Sequence, residues 1–496
     1  MLPDIRNRYS AWSIRMSTPA ANDATLKSLA VAPGELIPGF WGTRHSFSLA
    51  LPHHVEAVRI VAATTHPDAK LVVQGQANLN GKETAPIAVA VGRTVVKLDV
   101  TAADGVTKDS YEVKVHRATA RPDWQLVLEH APFKERDSQG EVVHDGKMWV
   151  LGGYTPDLVR DVWSTADGKA WTNVGQVPVA EGVNIPVCLS HGGKIWVTGQ
   201  NAQMYVSADG SHWSQVTQPA WMHRHGSGHT VFQGRMWVMG GAGGGKLLND
   251  VWSSADGETW TREIEHAPWS PRQIFSNLVV LNDRLWLIGG GYASYQPFKS
   301  CRDVWSSADG KHWELATDQA PWPGRVWTSC AAYRGRLWLV GGFRAQPTWN
   351  NFDDVWYSAD GAQWHKLETD HIWEPRHEKS VLVHDDSLWM IAGNAWPLKN
   401  DVWKLHIDGL TFVTRPVYEE YVDAEYRYDA RADFHASAGP LTYKLVEGPS
   451  WLAINATTGT LRGRANFKGD FPIRIEASDP AGERATQAFT LHVIGI

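Results

Sequence analysis

The chain has 496 residues, a formal net charge of −6, and 43% hydrophobic against 20% charged residues, a balance that fits a folded protein with more than one core and excludes a disordered one. The acidic balance argues against a nucleic-acid partner, whose phosphates need clustered positive charge, and no apolar run approaches the length that crosses a bilayer, so membrane insertion is not expected. Three cysteines, Cys188, Cys301 and Cys330, are too few and too scattered for a disulfide framework or a thiolate metal site.

Residues 1–20 read as an N-terminal tail in which Arg6, Arg8 and Arg15 stand without an apolar h-region, so no secretory signal peptide is expected. From 21 to 118, short apolar runs alternate with turns, as in Ala57-Val58-Arg59-Ile60-Val61-Ala62 and Val95-Val96-Lys97-Leu98-Asp99-Val100, the pattern of a β-sandwich. Leu26-Lys27-Ser28-Leu29-Ala30-Val31, Thr101-Ala102-Ala103-Asp104-Gly105 and Tyr111-Glu112-Val113-Lys114-Val115 resemble the bacterial cadherin-like sandwich domain. The acidic clusters with which true cadherins hold calcium have no counterpart here, so calcium is not implied.

Residues 119–416 are built from one unit repeated six times, with a period of roughly 40–50 residues and only strand and turn signals. Each repeat holds an inter-blade loop, with Arg in five of the six, and an apolar strand carrying Trp149, Trp196, Trp237, Trp286, Trp338 or Trp389. A Gly-Gly pair often follows, then an Asp-Val-Trp strand and an Asp-Gly turn with a further aromatic residue at fixed offset. This period predicts a β-propeller with one four-stranded sheet per repeat. The glycine pairs, such as Gly240-Gly241 and Gly341-Gly342, are expected where crowded backbone near the propeller axis leaves no room for a Cβ. Most of the 27 tryptophans recur at these set positions, which assigns them to packing between sheets rather than to ligand stacking. The double glycines and spaced aromatics resemble the kelch repeat, and that resemblance implies a six-bladed kelch-type propeller; it specifies a fold and not a function. Trp124 through Pro132 mirrors Trp260 through Pro268 and is expected to supply the outer strand of the last blade. Phe412-Val413-Thr414 is a second choice for that strand, and seven blades remain an open alternative.

Residues 417–496 read as a second sandwich, in which Leu441-Thr442-Tyr443-Lys444-Leu445, Trp451-Leu452-Ala453-Ile454 and Phe489-Thr490-Leu491-His492-Val493 resemble the immunoglobulin-like modules of bacterial surface and carbohydrate-active proteins. The fold class is therefore all-β: a six-bladed propeller with an N-terminal and a C-terminal β-sandwich. That architecture suggests an extracellular or periplasmic location and leaves the localisation itself undetermined.

Alternating connections put the Asp-Gly hairpins on one face of the disc and the inter-blade and strand-two-to-three loops on the other. The second face carries the long aromatic and polar loops Gly291–Lys299 and Phe343–Asn351, which makes it the expected binding face. Arg136, Arg224, Arg272, Arg325 and Arg376 recur in its inter-blade loops, with Gly182 at the matching place in repeat two. Structural bracing and contact with an anionic ligand are both open readings for these arginines. The residues beside them vary: Asp137 and Glu141; His223, His225 and His229; Gln273; His377 and Glu378. Candidate ligand-binding residues are Arg136, Arg224, His229, Arg272, Tyr292, Tyr295, Arg325, Trp327, Trp349, Arg376 and Trp396, and candidate catalytic residues are Glu378, His377 and His225. No metal and no cofactor is assigned, because nothing in the spacing makes His225, His229 and His377 converge. The copper ligand set of the kelch-type galactose oxidases has no residue-by-residue match either.

Three functions are compatible with this pattern. The leading one is recognition of a carbohydrate, a small anionic ligand or a protein segment on the loop face. The second is a metal-free acid–base enzyme acting on a sugar, of epimerase or lyase type. Six-bladed kelch proteins include a sialic-acid epimerase, and the resemblance implies Glu378, His377 or His225 as proton carriers with Arg376 and Arg224 anchoring a carboxylate. The third is a structural role in a surface complex, which predicts an exposed apolar patch formed by Trp221, Trp269, Trp322 and Trp373.

Overall fold

A computed structural model of the chain describes residues 19–495 except 37, 38, 52, 54, 118–120, 202, 222, 223, 294–296 and 438. Residues 1–18 of the expected tail, His223 and Tyr295 thus lie outside the described residues. The regular elements among the described residues are β-strands, and the chain divides into two compact units.

One unit comprises residues 1–121, 416–431 and 438–496 and holds both sandwiches. In the first sandwich, Leu26–Ala32, Ala57–Thr64 and Ile87–Ala88 form one sheet, and Ser46–Leu51, Lys108–Arg117, Gly92–Thr101, Lys70–Val73 and Gln76–Ala77 form the other. Alternate residues Val58, Ile60 and Ala62 share a core with Val96, Leu98 and Val100, as period-two patterning requires. In the second sandwich, Glu419–Tyr421, Arg484–Ile494, Gly469–Ser478 and Thr442–Glu447 make one sheet, and Glu425–Asp429, Thr460–Arg464 and Leu452–Ile454 the other. Asp470 ties the two sandwiches together, pairing with Lys114 Nζ at 2.8 Å and His492 Nδ1 at 2.7 Å.

The other unit, residues 122–415 with 432–437, contains, among the described residues and besides two two-stranded ladders, six sheets of four or five strands in the order the repeats predict. Their innermost strands are Gly140–His144, Cys188–His191, Gly228–Phe232, Leu278–Leu281, Ser329–Tyr333 and Ser380–His384. Each lies against the next and the last returns to the first, so the sheets are blades of a closed ring. The sixth sheet takes Trp124–Leu128 as its outer strand, beside Leu398–His406. Thr411–Phe412 pairs with Ala432–Asp433 instead, so the strand that closes the ring comes from the start of the propeller sequence.

Tryptophans bind blade to blade. Trp149, Trp196, Trp237, Trp286 and Trp389 lie against Gly210, Gly257, Gly310, Gly361 and Gly168, the Asp-Gly glycines of adjoining blades. A methyl group there would strike the indole, and φ values of 71° to 80° independently demand glycine. Trp221, Trp269, Trp322 and Trp373 are buried and meet Trp260, Trp313, Trp364 and Trp124 edge to face at 4.4 to 6.1 Å. They form no exposed patch, which corrects the expectation attached to the assembly reading. The double glycines answer to a more specific neighbour than the axis: a Cβ at Gly240 would meet Arg272 O at 3.0 Å and one at Gly341 would meet Arg376 O at 2.9 Å, the backbone of the next blade's Arg loop.

That loop is held by its arginine. Arg136, Arg224, Arg272, Arg325 and Arg376 pair in two-pronged fashion with Asp161, Asp250, Asp303, Asp354 and Asp401 of the Asp-Val-Trp strands. In blade four, Arg272 Nη1 donates to Asp303 Oδ1 at 2.6 Å and to Gly289 O at 3.0 Å, Nη2 to Asp303 Oδ2 at 2.8 Å, and Nε to Ser270 O at 2.9 Å. Trp305 Nε1 donates to the same Oδ2 at 2.7 Å. Equivalent bonds recur in the other four blades. The guanidiniums of Arg136, Arg272, Arg325 and Arg376 are at most 1% exposed. All five arginines were candidate ligand contacts as well as candidate braces, and the structure turns each of them to bracing, with its hydrogen bonds directed to carboxylate and carbonyl groups inside the blade. Blade two lacks both charges. Val183, rather than Gly182, occupies the arginine place, since its carbonyl accepts from Gly153 N as Arg272 O does from Gly241 N, and Gln203 occupies the aspartate place. Loss of both partners together leaves no lone buried charge.

Burial acts to raise the Asp303 pKa, but the hydrogen bonds and charge of Arg272 outweigh it and hold the carboxyl below the usual aspartate range. Asp303→Ala is expected to destabilise the propeller by about 3–5 kcal/mol at neutral pH, because it strands a buried guanidinium. Replacing the pair together, Arg272→Met with Asp303→Leu, should cost less, as urea unfolding of the three proteins would show. Because the folded pKa is depressed, the pair's contribution is complete above the unfolded value of about 4 and disappears as pH falls through the folded value. The stability gap between wild type and Asp303→Ala should therefore be flat above about pH 5 and narrow below about pH 4.

Candidate functional site

Just past the arginine place, every blade turns through a left-handed residue: Ser138 (φ 60°), Ile185 (45°), Gly226 (66°), Phe275 (54°), Trp327 (54°) and Glu378 (49°). Five of the six bear side chains, and Ile185 is β-branched, so each non-glycine position carries a cost of about 1–2 kcal/mol. Backbone bonds from blade to blade sustain the ring: Glu378 N to Trp327 O at 3.2 Å, Ser138 N to Glu378 O at 3.3 Å, Ile185 N to Ser138 O at 2.7 Å and Phe275 N to Gly226 O at 3.2 Å. The five non-glycine members line a small axial pocket with a cavity volume of about 40 Å³. Its wall continues through Gln139, Ser227, Thr328 and Lys379. At the floor, Ser276 Oγ of blade four donates to Glu141 Oε1 of blade one at 2.7 Å, with His229 alongside. Burial pushes Glu141 up to about 7 and holds His229 down to about 4.

The most concentrated chemistry sits at the seam between blades six and one. Asp137, His377 and Glu378 bring their terminal nitrogen and oxygen atoms within 4.8 Å of one another. Asn394 Nδ2 donates to Asp137 Oδ2 at 2.8 Å, Ser138 Oγ donates to Glu378 Oε2 at 3.1 Å, and His377 Nε2 lies 3.9 Å from Glu378 Oε2. Burial, with the Asp137 charge added, pushes Glu378 up to about 8; burial also raises Asp137 and holds His377 down to about 3. Aromatic rings border the cluster. Trp327 stacks on Phe343 at 5.0 Å and on His377 at 5.1 Å, and Phe343 meets Trp349 at 5.3 Å and Trp396 at 5.6 Å. Trp349 and Trp396 stay 67% and 51% exposed.

The expected residues thus divide. Glu378 and His377 come together, Trp327, Trp349 and Trp396 surround them, and His229 reaches the pocket floor. His225 does not join: it stands in blade three, across the ring from blade six, and its backbone pairs with Ala242. Tyr292 is half-buried on a short ladder with Lys299 in blade four. Asp137, flagged beside Arg136 but not selected, completes the cluster. Its signal was repeat register, since Asp137 and His377 both directly follow the arginine in blades that adjoin. Phe343 and Asn351 had no signal beyond lying in the expected loop Phe343–Asn351, which the structure builds instead as the ends of the strands Arg336–Arg344 and Asn350–Ser358, and Asn394, at the end of the strand Ser387–Asn394, had none.

The family model of the DUF6242 beta propeller domain matches residues 123–415, more than half of the chain and nearly all of the propeller unit. The chain belongs to this family. In this DUF6242 member, a Cadherin-like beta sandwich domain matches residues 25–118 and a Putative Ig domain residues 410–494. No curated protein matches the chain.

Two neighbouring buried carboxylates at the seam repel, and Glu378 additionally holds a left-handed backbone. Glu378→Gln keeps the side-chain shape and removes one charge, so it should raise stability by about 0.5–2 kcal/mol, measured as an upward shift of the urea midpoint at pH 8.

Proposed function

We propose that the DUF6242 propeller binds a neutral carbohydrate at its axial mouth. The observation that carries this reading is the pair of exposed indoles, Trp349 and Trp396, set on the Phe343–Trp327–His377 cluster at the rim of a pocket lined by carboxylate and hydroxyl groups. Indole faces accept the C–H face of a sugar ring, while Glu378, Ser138, Ser227 and Thr328 offer hydrogen-bond partners for its hydroxyls.

The charge distribution favours a neutral ligand over an anionic one. The arginines are committed to Asp161, Asp250, Asp303, Asp354 and Asp401, so anion binding would fall to Lys379 in the pocket wall, whose pKa burial lowers to about 7. The epimerase-type assignment loses its carboxylate anchors, Arg376 and Arg224, for the same reason, and His225 stands apart from Glu378. The two flanking sandwiches accord with a ligand-binding or surface protein.

Screening the full chain on a glycan array and titrating the best neutral oligosaccharide by calorimetry tests the proposal. Trp396→Ala should weaken that binding by up to about 10-fold, the value of one aromatic contact. Failure to bind any neutral glycan, or an affinity indifferent to Trp396→Ala and Trp349→Ala, would rule it out.

A further inference from the structure

We propose that Asp137, His377 and Glu378 form a binding site for a divalent transition-metal cation of the Zn2+ or Mn2+ class, at the seam between blades six and one. Paired carboxylates alone would be a weak argument; the orientation of the histidine supplies the independent one. Asn351 Nδ2 is within hydrogen-bond distance of two backbone carbonyls, Pro375 O at 3.3 Å and Asn394 O at 2.9 Å. This fixes the amide, so its Oδ1 is what faces His377 Nδ1 at 2.7 Å. An acceptor there requires the proton on Nδ1, and the neutral imidazole then presents its lone pair at Nε2. That nitrogen, on a residue 97% buried by its 3% exposure, points toward Glu378 Oε2 at 3.9 Å and makes no hydrogen bond with it.

Three electron-pair donors therefore face one another across a small gap, which is the arrangement a cation resolves. Histidine ligands characteristically donate their second ring nitrogen to an oxygen acceptor, the role Asn351 Oδ1 fills, and the carboxylates are themselves oriented by Asn394 and Ser138. Donors about a tetrahedral ion with bonds of about 2.0–2.1 Å stand about 3.3 Å apart, so closure of the set from separations of 3.9 Å for the His377–Glu378 pair and at most 4.8 Å overall needs side-chain rotation. One nitrogen with two carboxylate oxygens favours a first-row divalent ion over an all-oxygen calcium cage. Of the three residues, Glu378 also lines the axial pocket. The inference is independent of the carbohydrate reading and is measured without any sugar.

The test is to strip the full-length protein with chelator and titrate it with Zn2+, and separately with Mn2+, by calorimetry, checking stoichiometry by elemental analysis. One equivalent bound in wild type, with affinity at least about 10-fold lower in both Glu378→Gln and Asp137→Asn, is the expected result. Glu378→Gln is a suitable probe because it relieves charge repulsion and is expected to fold. Stripped wild type that takes up less than one equivalent of either ion, or uptake equal in wild type and both variants, would overturn the site and leave the cluster as a proton-sharing group.

Discussion

The propeller depends on one buried ion pair used five times. Each Arg–Asp pair joins three parts of a blade that the chain visits separately: the inter-blade loop through the arginine, the glycine corner through its carbonyl, and the Asp-Val-Trp strand through the carboxylate and the indole N–H bound to it. A guanidinium sealed from water beside a largely buried carboxylate is tolerable only as a pair with the remaining hydrogen bonds satisfied. Blade two obeys the same constraint from the other side, replacing the two charges with Val183 and Gln203 and losing neither fold nor register. One consequence reaches the function. The most conspicuous basic residues of the loop face are internal fasteners, so the chemistry of the mouth is left to carboxylates, hydroxyls, imidazole, aromatic faces and the single amine of Lys379.

The fold was legible because its determinants are periodic. Tryptophans, glycine pairs and Asp-Gly turns recur at fixed offsets, and each answers a local demand of blade packing, such as the space under Trp237 that only Gly310 fits. Closure was legible down to the choice between two strands, and pairing of Trp124–Leu128 with Leu398–His406 depends on long-range register that no local pattern encodes. The site was less legible. The repeated arginines drew attention as a positively charged ring, but their partners lie 25 to 31 residues downstream in the strands that seemed merely structural. Asp137 was flagged but passed over for the opposite reason: it joins His377 and Glu378 because the first and last blades meet, a proximity that only the closed ring and the register of its repeats reveal.

The mouth itself shows where local preference yields to purpose. Left-handed backbone is ordinary at Gly226, but at Ile185, Phe275, Trp327 and Glu378 it opposes intrinsic preference and persists because neighbouring blades hold it with hydrogen bonds. Strain of this kind aims side chains inward that a relaxed turn would direct elsewhere. Burial then separates their electrostatics, lifting Glu378 and Glu141 while keeping the histidines neutral, so the pocket stays poor in charge despite its acidic residues.

The location of the Asp137 cluster ties it to the topology of the ring. Ser138 and Glu378 are 240 positions apart and touch across the joint where the beginning and end of the propeller sequence meet. Elsewhere adjoining blades are consecutive in the chain, whereas this junction relies on the non-covalent seating of Trp124–Leu128. Anything that bridges the carboxylate of the first blade and the imidazole of the last acts as a clasp on that junction, and by linkage its occupancy and the integrity of the circle reinforce each other. Peeling away the edge strand would open the disc and dismantle the pocket in the same motion.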